Sequence, residues 1–101
     1  MSVRWMRTTK IRNGKFMEAI AWAKETSAHV EKKHNVGKVS IWLDSLGEAG
    51  TIRWSIDFPD MAAFDKMMSA VMIDADYWKM VNKAVDLFHD GTTVDQLFKA
   101  V

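Results

Sequence analysis

The sequence predicts an α+β domain in which an antiparallel four-stranded sheet carries its helices on one face. Apolar and polar residues alternate over residues 39–43 and again over 51–58, which indicates a β-hairpin. Stretches with helical spacing lie on either side of this hairpin, and a β-branched segment lies near each end of the chain. The resulting order is strand, helix, strand, strand, helix pair, strand, with the first and third strands at the centre of the sheet.

The first strand is predicted over residues 3–11, which are rich in β-branched and aromatic side chains. Its alternation is poor, so the pattern does not define which face points inward. A helix follows over residues 15–34, and Asn35 and Gly37 end it. Trp22 falls outside the apolar stripe of this helix, on the side that would normally face solvent. We therefore expect Trp22 to be exposed and to belong to a contact surface.

The hairpin strands are predicted over residues 38–44 and 51–58, joined by a turn-rich link over 45–50. Ile52, Trp54 and Ile56 share one face of the second hairpin strand and are expected to pack against the helices. The opposite face of the hairpin is mainly polar and carries Ser40, Trp42, Thr51, Arg53, Ser55 and Asp57. The presence of a tryptophan on this polar face suggests that it is partly covered.

The second half of the chain is predicted to contain two helices and a strand. Pro59 and Asp60 begin the first helix, with Asp60 as its capping side chain. A break near residues 74–76 precedes a second helical stretch from about 76 to 89, which Gly91 ends. The tail after Gly91 is read as the final strand.

Composition limits the functions that the chain can have. The 101 residues form one predicted domain, 1–101, with a net charge of +1 and no cysteine, so we expect no nucleic-acid partner and no disulfide or thiolate chemistry. The first residues do not resemble a signal peptide and no segment is apolar enough to cross a membrane, so a cytoplasmic location is expected. Five tryptophans and eight methionines are many for this length, and they indicate a rich core, a subunit interface or an apolar pocket.

The segment TIRWSIDFPDMAAFDKMMSAVMIDADYWKMVNKAVDLFHDGTTVDQLF resembles the second half of dimeric α/β-barrel proteins of the ferredoxin-like superfamily, especially NIPSNAP-like and antibiotic-biosynthesis-monooxygenase-like members. It has a hairpin strand that ends in an acidic residue, a helix directly after it, an Asp-x-Asp-Tyr-Trp start to the next helix and a final strand after Gly91. The resemblance implies a ferredoxin-like β-α-β-β-α(α)-β fold. It also implies a homodimer through the sheet faces, in which two sheets close into a barrel and the polar hairpin face lines its interior.

Three residues are candidates for catalysis. Arg53 and Asp57 lie on the same polar face of one strand and could bind a polar substrate group. They could equally pair with each other or with a partner chain and fix the register of a dimer. His89 is predicted at the end of a helix, where it could act as an acid or base or could simply stabilise the helix as a cation.

No metal site is predicted. His29 and His34 are five residues apart, which is the wrong spacing for two ligands on one helical face, and no third histidine is near them in sequence. No cofactor is predicted either. The resemblance extends to cofactor-free monooxygenases, isomerases and haem-degrading enzymes, and in the haem-degrading group alone Trp54 and His89 would match a working tryptophan and histidine. The first strand has no asparagine, which departs from the haem-degrading pattern.

The predicted function is to bind or transform a small apolar, aromatic or acyl compound in a pocket between the helices and the sheet. Its ligand-binding residues would be Trp54, Phe64, Met68 and Trp78, with His89 beside them. The alternative is a non-catalytic dimeric stress or scaffold module in which all the aromatic side chains belong to the core and the interface. An open pocket would favour the first interpretation and a filled interior the second.

Overall fold

The computed structural model describes residues 2–47 and 49–101, and its elements follow the predicted order. The strands are β1 (Val3–Lys10), β2 (Ser40–Leu43), β3 (Thr51–Phe58) and β4 (Val94–Lys99), and the helices are α1 (Phe16–His34), α2 (Met61–Met72) and α3 (Ala75–Lys83). The predicted link between β2 and β3 contains Glu48, which lies outside the described residues. Within the described part of the chain, no helix is both long and apolar enough to cross a membrane.

The four strands form one antiparallel sheet in the order β2-β3-β1-β4. The prediction that the first and third strands are central is therefore confirmed, as is the ferredoxin-like fold. Arg7 of β1 pairs with Trp54 of β3, and Trp54 pairs in turn with Ile41 of β2. Since directly paired residues point to the same face, this register places Arg7, Trp54 and Ile41 on one side of the sheet.

The helices cover that side, and the core lies between them and the sheet. Ile52, Trp54, Ile56 and Phe58 are buried at 0–8% exposure, as the alternation in β3 predicts. The register also resolves the poor pattern of β1, because its partners place Val3, Trp5, Arg7 and Thr9 on the helix side. A cationic residue thus lies on the inner face, which explains why β1 shows no clean alternation.

The other side of the sheet is open and mainly polar. Arg53, Ser55 and Asp57 of β3 lie there with Trp42 of β2, as predicted. Trp42 is 54% exposed, and its indole Nε1 donates a hydrogen bond to Ser55 Oγ at 3.0 Å. The Trp42 N–H is thus satisfied on this face, while its large apolar ring remains accessible.

The prediction that Trp22 is exposed is wrong. Trp22 is half-buried, its Nε1 donates to the backbone oxygen of Met80 at 2.9 Å, and its ring packs edge-on against Trp54 and Phe88 at 6.2 and 5.5 Å. The segment from α3 to Phe88 covers this flank of α1, which periodicity within α1 cannot reveal. Asn35 ends α1 in the left-handed conformation, with φ 49°, as its position after the helix predicts.

The third helix is shorter than predicted. It ends at Lys83, so the predicted helical stretch from 76 to 89 is wrong after that residue. The following residues bond to the end of β1 instead: Arg12 N donates to Leu87 O at 2.9 Å, and His89 N donates to Lys10 O at 2.9 Å. These backbone bonds with β1 are incompatible with a helix that continues to residue 89, since a helix would satisfy the same groups internally.

Helix α2 begins with a side-chain cap, which gives a first prediction. The Asp60 carboxylate accepts a hydrogen bond from Ala63 N at 2.8 Å, as expected of an N-cap aspartate. We expect Asp60→Ala to lower the free energy of unfolding by about 1 kcal/mol because this backbone donor loses its partner. Urea denaturation measures the change. Asp60→Ser is the matched control and should lose only a few tenths of a kcal/mol, and equal losses in both variants would contradict the capping role.

Candidate functional site

A cavity of about 120 Å³ lies between the sheet and the helices. Its floor is formed by Trp5, Trp54 and Ile56 of the central strands, and its walls come from α1, α2 and α3. Most of the lining is aromatic or thioether side chain, and the full set is Trp5, Arg7, Trp22, Ser27, Val30, Val39, Trp54, Ile56, Met67, Met68, Val71, Met72, Tyr77 and Trp78. The interior between helices and sheet is therefore open here rather than filled.

A second cleft of about 270 Å³ adjoins the first. Arg7, Trp22, Trp54 and Tyr77 line both spaces, so these four side chains form the boundary between them. The second cleft continues toward the segment after α3, where Thr93 and His89 line it. We refer to the two spaces together as the aromatic cleft.

Arg7 is the charged group that lines both spaces of the aromatic cleft, and it is held in place by three contacts. Its Nε and Nη2 donate to the two carboxylate oxygens of Asp95 at 2.7 and 2.8 Å, and its Nη1 donates to the Tyr77 hydroxyl at 3.4 Å. The guanidinium carbon lies 5.4 Å from the centre of the Trp5 ring, a cation–π distance. The hydrogen bond to Asp95 raises the pKa of Arg7 above its ordinary range, so the cation is permanent.

Trp5 supplies an unusual polar group. Its indole Nε1 is buried and has no hydrogen-bond partner among the described residues. A buried donor without a partner costs roughly 1–3 kcal/mol, so native structures usually satisfy such groups. Trp5 lines the cavity next to Arg7, and a small movement of its ring would bring this buried N–H within reach of a bound molecule.

Three of the four predicted ligand-binding residues line the cavity. Trp54 lines both spaces, and Met68 and Trp78 line the first. Phe64 is not among the described residues that line either space; its ring packs edge-on against Phe58 at 5.6 Å. Trp78 is 40% exposed, and its Nε1 donates to Met72 O at 3.0 Å, which fixes the ring at the cavity edge.

His89 lies six residues beyond Lys83, the last residue of α3, rather than on that helix. The interpretation of His89 as a cation at a helix terminus is therefore wrong. The residue is exposed and lines the second cleft together with Asp90 and Thr93. Its position beside Trp54 and Tyr77 in that cleft keeps it a candidate acid or base.

Arg53 and Asp57 are not part of the aromatic cleft, because they lie on the opposite side of the sheet. They do not pair with each other. Arg53 forms a two-pronged ion pair with Asp44 at 2.9 and 3.2 Å and also bonds to Thr8. Asp57 pairs with Arg4 at 2.7 and 3.1 Å. Their hydrogen bonds lower the pKa values of Asp44 and Asp57, which keeps both carboxylates ionised on the open face.

A third polar feature, outside the lining of the aromatic cleft, centres on Asp74. The side chain of Asp74 is fully buried and accepts hydrogen bonds from His29 Nε2 at 2.9 Å, His34 Nε2 at 2.7 Å and Lys33 Nζ at 2.8 Å. It also caps α3 by accepting from Tyr77 N at 3.1 Å. Burial alone would raise the pKa of Asp74, but these hydrogen bonds together hold it well below its ordinary range. We call His29, Lys33, His34 and Asp74 the Asp74 cluster.

The argument that a five-residue spacing keeps His29 and His34 apart is therefore wrong. Their ring centres are 6.4 Å apart, and both Nε2 atoms reach one carboxylate oxygen. His34 is the last residue of α1, where the chain leaves the regular helix, so spacing rules for helix interiors do not describe it. The third group, Asp74, is forty residues away in sequence and could be found only from the fold.

The chain matches no family model and no curated protein. Solved structures do match it over nearly its whole length. A NIPSNAP family protein of Agrobacterium tumefaciens is 11% identical, with 100% of this chain and 94% of that chain covered and a TM-score of 0.81. An uncharacterised NIPSNAP domain protein of Burkholderia xenovorans is 14% identical, with 100% and 95% covered and a TM-score of 0.80.

A third solved structure is described as a dimeric protein of unknown function with a ferredoxin-like fold, from Bacteroides fragilis. It is 12% identical, with 98% of this chain and 96% of that chain covered and a TM-score of 0.71. These likenesses confirm the fold class and the predicted structural resemblance to NIPSNAP-like proteins. At such low sequence identities, these likenesses show similarity of fold alone.

Proposed function

We propose that this protein binds a small, flat, apolar compound, aromatic or acyl, in the aromatic cleft. The observation that carries the proposal is the open cavity lined by Trp5, Trp22, Trp54, Tyr77 and Trp78. Side chains of this kind pack closely around planar ligands, and the methionines beside them adapt to different shapes. A filled interior would have favoured the alternative of a module without a ligand.

The size of the cavity suits such a compound. An apolar cavity of about 150 Å³ in another protein stays dry and binds benzene. The cavity here, at about 120 Å³, can hold a single ring, and the adjoining cleft of about 270 Å³ can hold a substituent. A single ring is therefore the upper limit for the first space without rearrangement of its walls, and a second fused ring would extend into the adjoining cleft.

The polar groups suggest that the ligand carries a hydrogen-bond acceptor. The buried Trp5 N–H lacks a partner among the described residues, and a carbonyl or carboxylate oxygen would satisfy it. Arg7 and Tyr77, at the boundary of the two spaces, offer further donors beside it. Since Asp95 already neutralises Arg7, a neutral carbonyl group is at least as suitable as an anion.

The test is a calorimetric binding titration with indole, naphthalene and 2-acetylnaphthalene as probes. We expect the ketone to bind more tightly than naphthalene, because it can accept the Trp5 N–H, and we expect Trp5→Phe to remove this difference. Val71→Phe should weaken binding by about tenfold or more, because Val71 lines the cavity and the larger ring fills it. Ile73→Phe is the matched control, since Ile73 is 86% exposed and is not among the described lining residues.

Two results would contradict the proposal. The first is the absence of binding by every probe at their solubility limits. The second is equal weakening by Val71→Phe and Ile73→Phe, which would place the ligand outside the cavity. The first result would favour the alternative of a non-catalytic dimeric module.

We also propose that two copies of the chain pair through their open sheet faces. Trp42 is 54% exposed on this face, and β4 adds Val94 and Phe98, which are 55% and 44% exposed. The register places both β4 residues on the same side as Arg53 and Asp57, since Val94 and Phe98 pair with Thr8 and Arg4. Apolar rings among satisfied polar groups suit the core of a subunit interface. The matching structure from Bacteroides fragilis is itself described as dimeric.

Trp42→Arg is expected to weaken the dimer by about tenfold or more, because it replaces an exposed apolar ring of the proposed contact with a charge. Sedimentation equilibrium measures the dissociation constant directly. Met17→Arg, on the exposed side of α1 at 74% exposure, is the control and should leave the constant unchanged. A wild-type protein that sediments as a monomer at micromolar concentration would overturn the pairing.

A further inference from the structure

We propose that the Asp74 cluster is a binding site for one divalent transition-metal ion, with Zn²⁺ as the best-suited metal. One ring nitrogen each of His29 and His34 and a carboxylate oxygen of Asp74 all lie within 4.8 Å of one another. Two imidazole nitrogens and one carboxylate oxygen are ligands that Zn²⁺ commonly takes in proteins. The site is separate from the aromatic cleft and does not depend on the proposed ligand.

The distances are close to those that the metal needs. The two Nε2 atoms lie 2.9 and 2.7 Å from the same Asp74 oxygen. In a tetrahedral zinc site with ligand distances of about 2.0–2.1 Å, neighbouring ligand atoms are roughly 3.3 Å apart. A shift of roughly half an ångström in each histidine–carboxylate contact, with the proton of each imidazole moved from Nε2 to Nδ1, would therefore convert the hydrogen-bonded cluster into a three-ligand site. Water would take the remaining position.

The burial of these side chains favours specific metal binding over nonspecific binding at the surface. The side chains of Asp74, His34 and His29 are 0, 8 and 21% exposed. Their positions are fixed by separate elements: both histidines belong to the end of α1, and Asp74 caps α3. A rigid, partly desolvated arrangement of this kind needs little reorganisation to bind an ion. Metal binding would also tie α1 to α3.

Lys33 decides how strongly the site binds. Its ammonium group donates to the other oxygen of Asp74 at 2.8 Å. It therefore already neutralises the negative charge of the carboxylate that would attract a metal ion. Lys33 is 45% exposed, and Asp76 lies 3.8 Å from it, so the ammonium can move outward without losing every partner. The metal and Lys33 should thus compete for Asp74, and removal of Lys33 should strengthen metal binding.

The test uses the full chain without a histidine tag, titrated with Zn²⁺ by calorimetry and with Co²⁺ by visible absorption. We expect one Zn²⁺ per chain and a Co²⁺ spectrum typical of nitrogen and oxygen ligands. His29→Gln and His34→Gln should each weaken Zn²⁺ binding by about 100-fold or more, since each removes a ligand. His89→Gln is the matched control, because the chain has three histidines and His89 lies outside the cluster.

Lys33→Ala keeps the test independent of misfolding, because it should bind Zn²⁺ more tightly than the wild type. The proposal is overturned if the wild-type chain takes up no Zn²⁺ at about 1 mM. It is equally overturned if His89→Gln weakens binding as much as His34→Gln does, or if Lys33→Ala leaves the affinity unchanged or lower. Circular dichroism of each variant establishes that the fold is retained.

Discussion

Replacing Asp74 with alanine is expected to lower the free energy of unfolding by about 3–5 kcal/mol, the range for removing one partner of a buried charged network. The substitution removes the N-cap of α3 and leaves His29, His34 and Lys33 without their common acceptor. Capping alone accounts for about 1 kcal/mol of the loss. The remainder comes from donors that packed around a fully buried carboxylate and now face an apolar side chain.

Urea denaturation at pH 7 and fixed protein concentration measures this loss, the fixed concentration being needed if the chain is a dimer. Asp74→Asn is the matched control, because asparagine is also a good N-cap and can still accept hydrogen bonds. It should lose clearly less than the alanine variant. A loss below about 1 kcal/mol for Asp74→Ala would show that the cluster contributes little beyond the cap.

Trp54→Ala is expected to lower the free energy of unfolding by about 3–5 kcal/mol and also to abolish ligand binding. Trp54 is 8% exposed and packs edge-on against Trp22 and Phe88, at 6.2 and 6.0 Å. It also lines both parts of the aromatic cleft. Its removal would therefore enlarge a cavity in the middle of the core and take away a wall of the proposed site.

Trp54→Phe separates the two effects. It retains an aromatic ring on the inner face of β3 and should lose less than half as much stability as the alanine variant. Thermal unfolding and calorimetric titration with 2-acetylnaphthalene, on the same samples, measure both quantities. If Trp54→Ala unfolds at the wild-type temperature, the ring is not the core residue that its burial indicates.

The fold could be predicted because its evidence is local. The clean alternation in TIRWSIDF and the helical spacing on either side of the hairpin each report a periodicity of the backbone itself. The caps at Asn35 and Asp60 are equally local, since each acts within its own helix. Such features need no knowledge of which elements become neighbours.

The misjudged features depend on contacts between distant parts of the chain. Trp22 is covered by Met80 and Phe88, and the segment before His89 is held by the end of β1. Tertiary contacts of this kind override the pattern within a helix, because burial is decided by the neighbour as much as by the residue. The shorter α3 follows from the same cause.

The candidate sites were only partly predictable for the same reason. Trp54, Met68 and Trp78 could be chosen from their apolar character, whereas Trp5 and Arg7 lie in a strand whose inward face shows only in its pairing. From the sequence alone, Arg7 would be assigned to the surface. Only the fold places its ion-pair partner Asp95, eighty-eight residues away, beside it. The signal that could have found it is the anomalous pattern of β1 itself, which has a cation at an inward position.

The most direct test of the central claim is a methyl NMR titration of the methionine-labelled protein with 2-acetylnaphthalene. We predict that the methyl signals of Met67, Met68 and Met72, which line the cavity, shift as the ketone is added. The signals of Met17 and Met61, which are 74% and 37% exposed and are not among the described lining residues, should stay in place. Shifts at Met17 or Met61 alone, or none at saturating ketone, would contradict binding in the aromatic cleft.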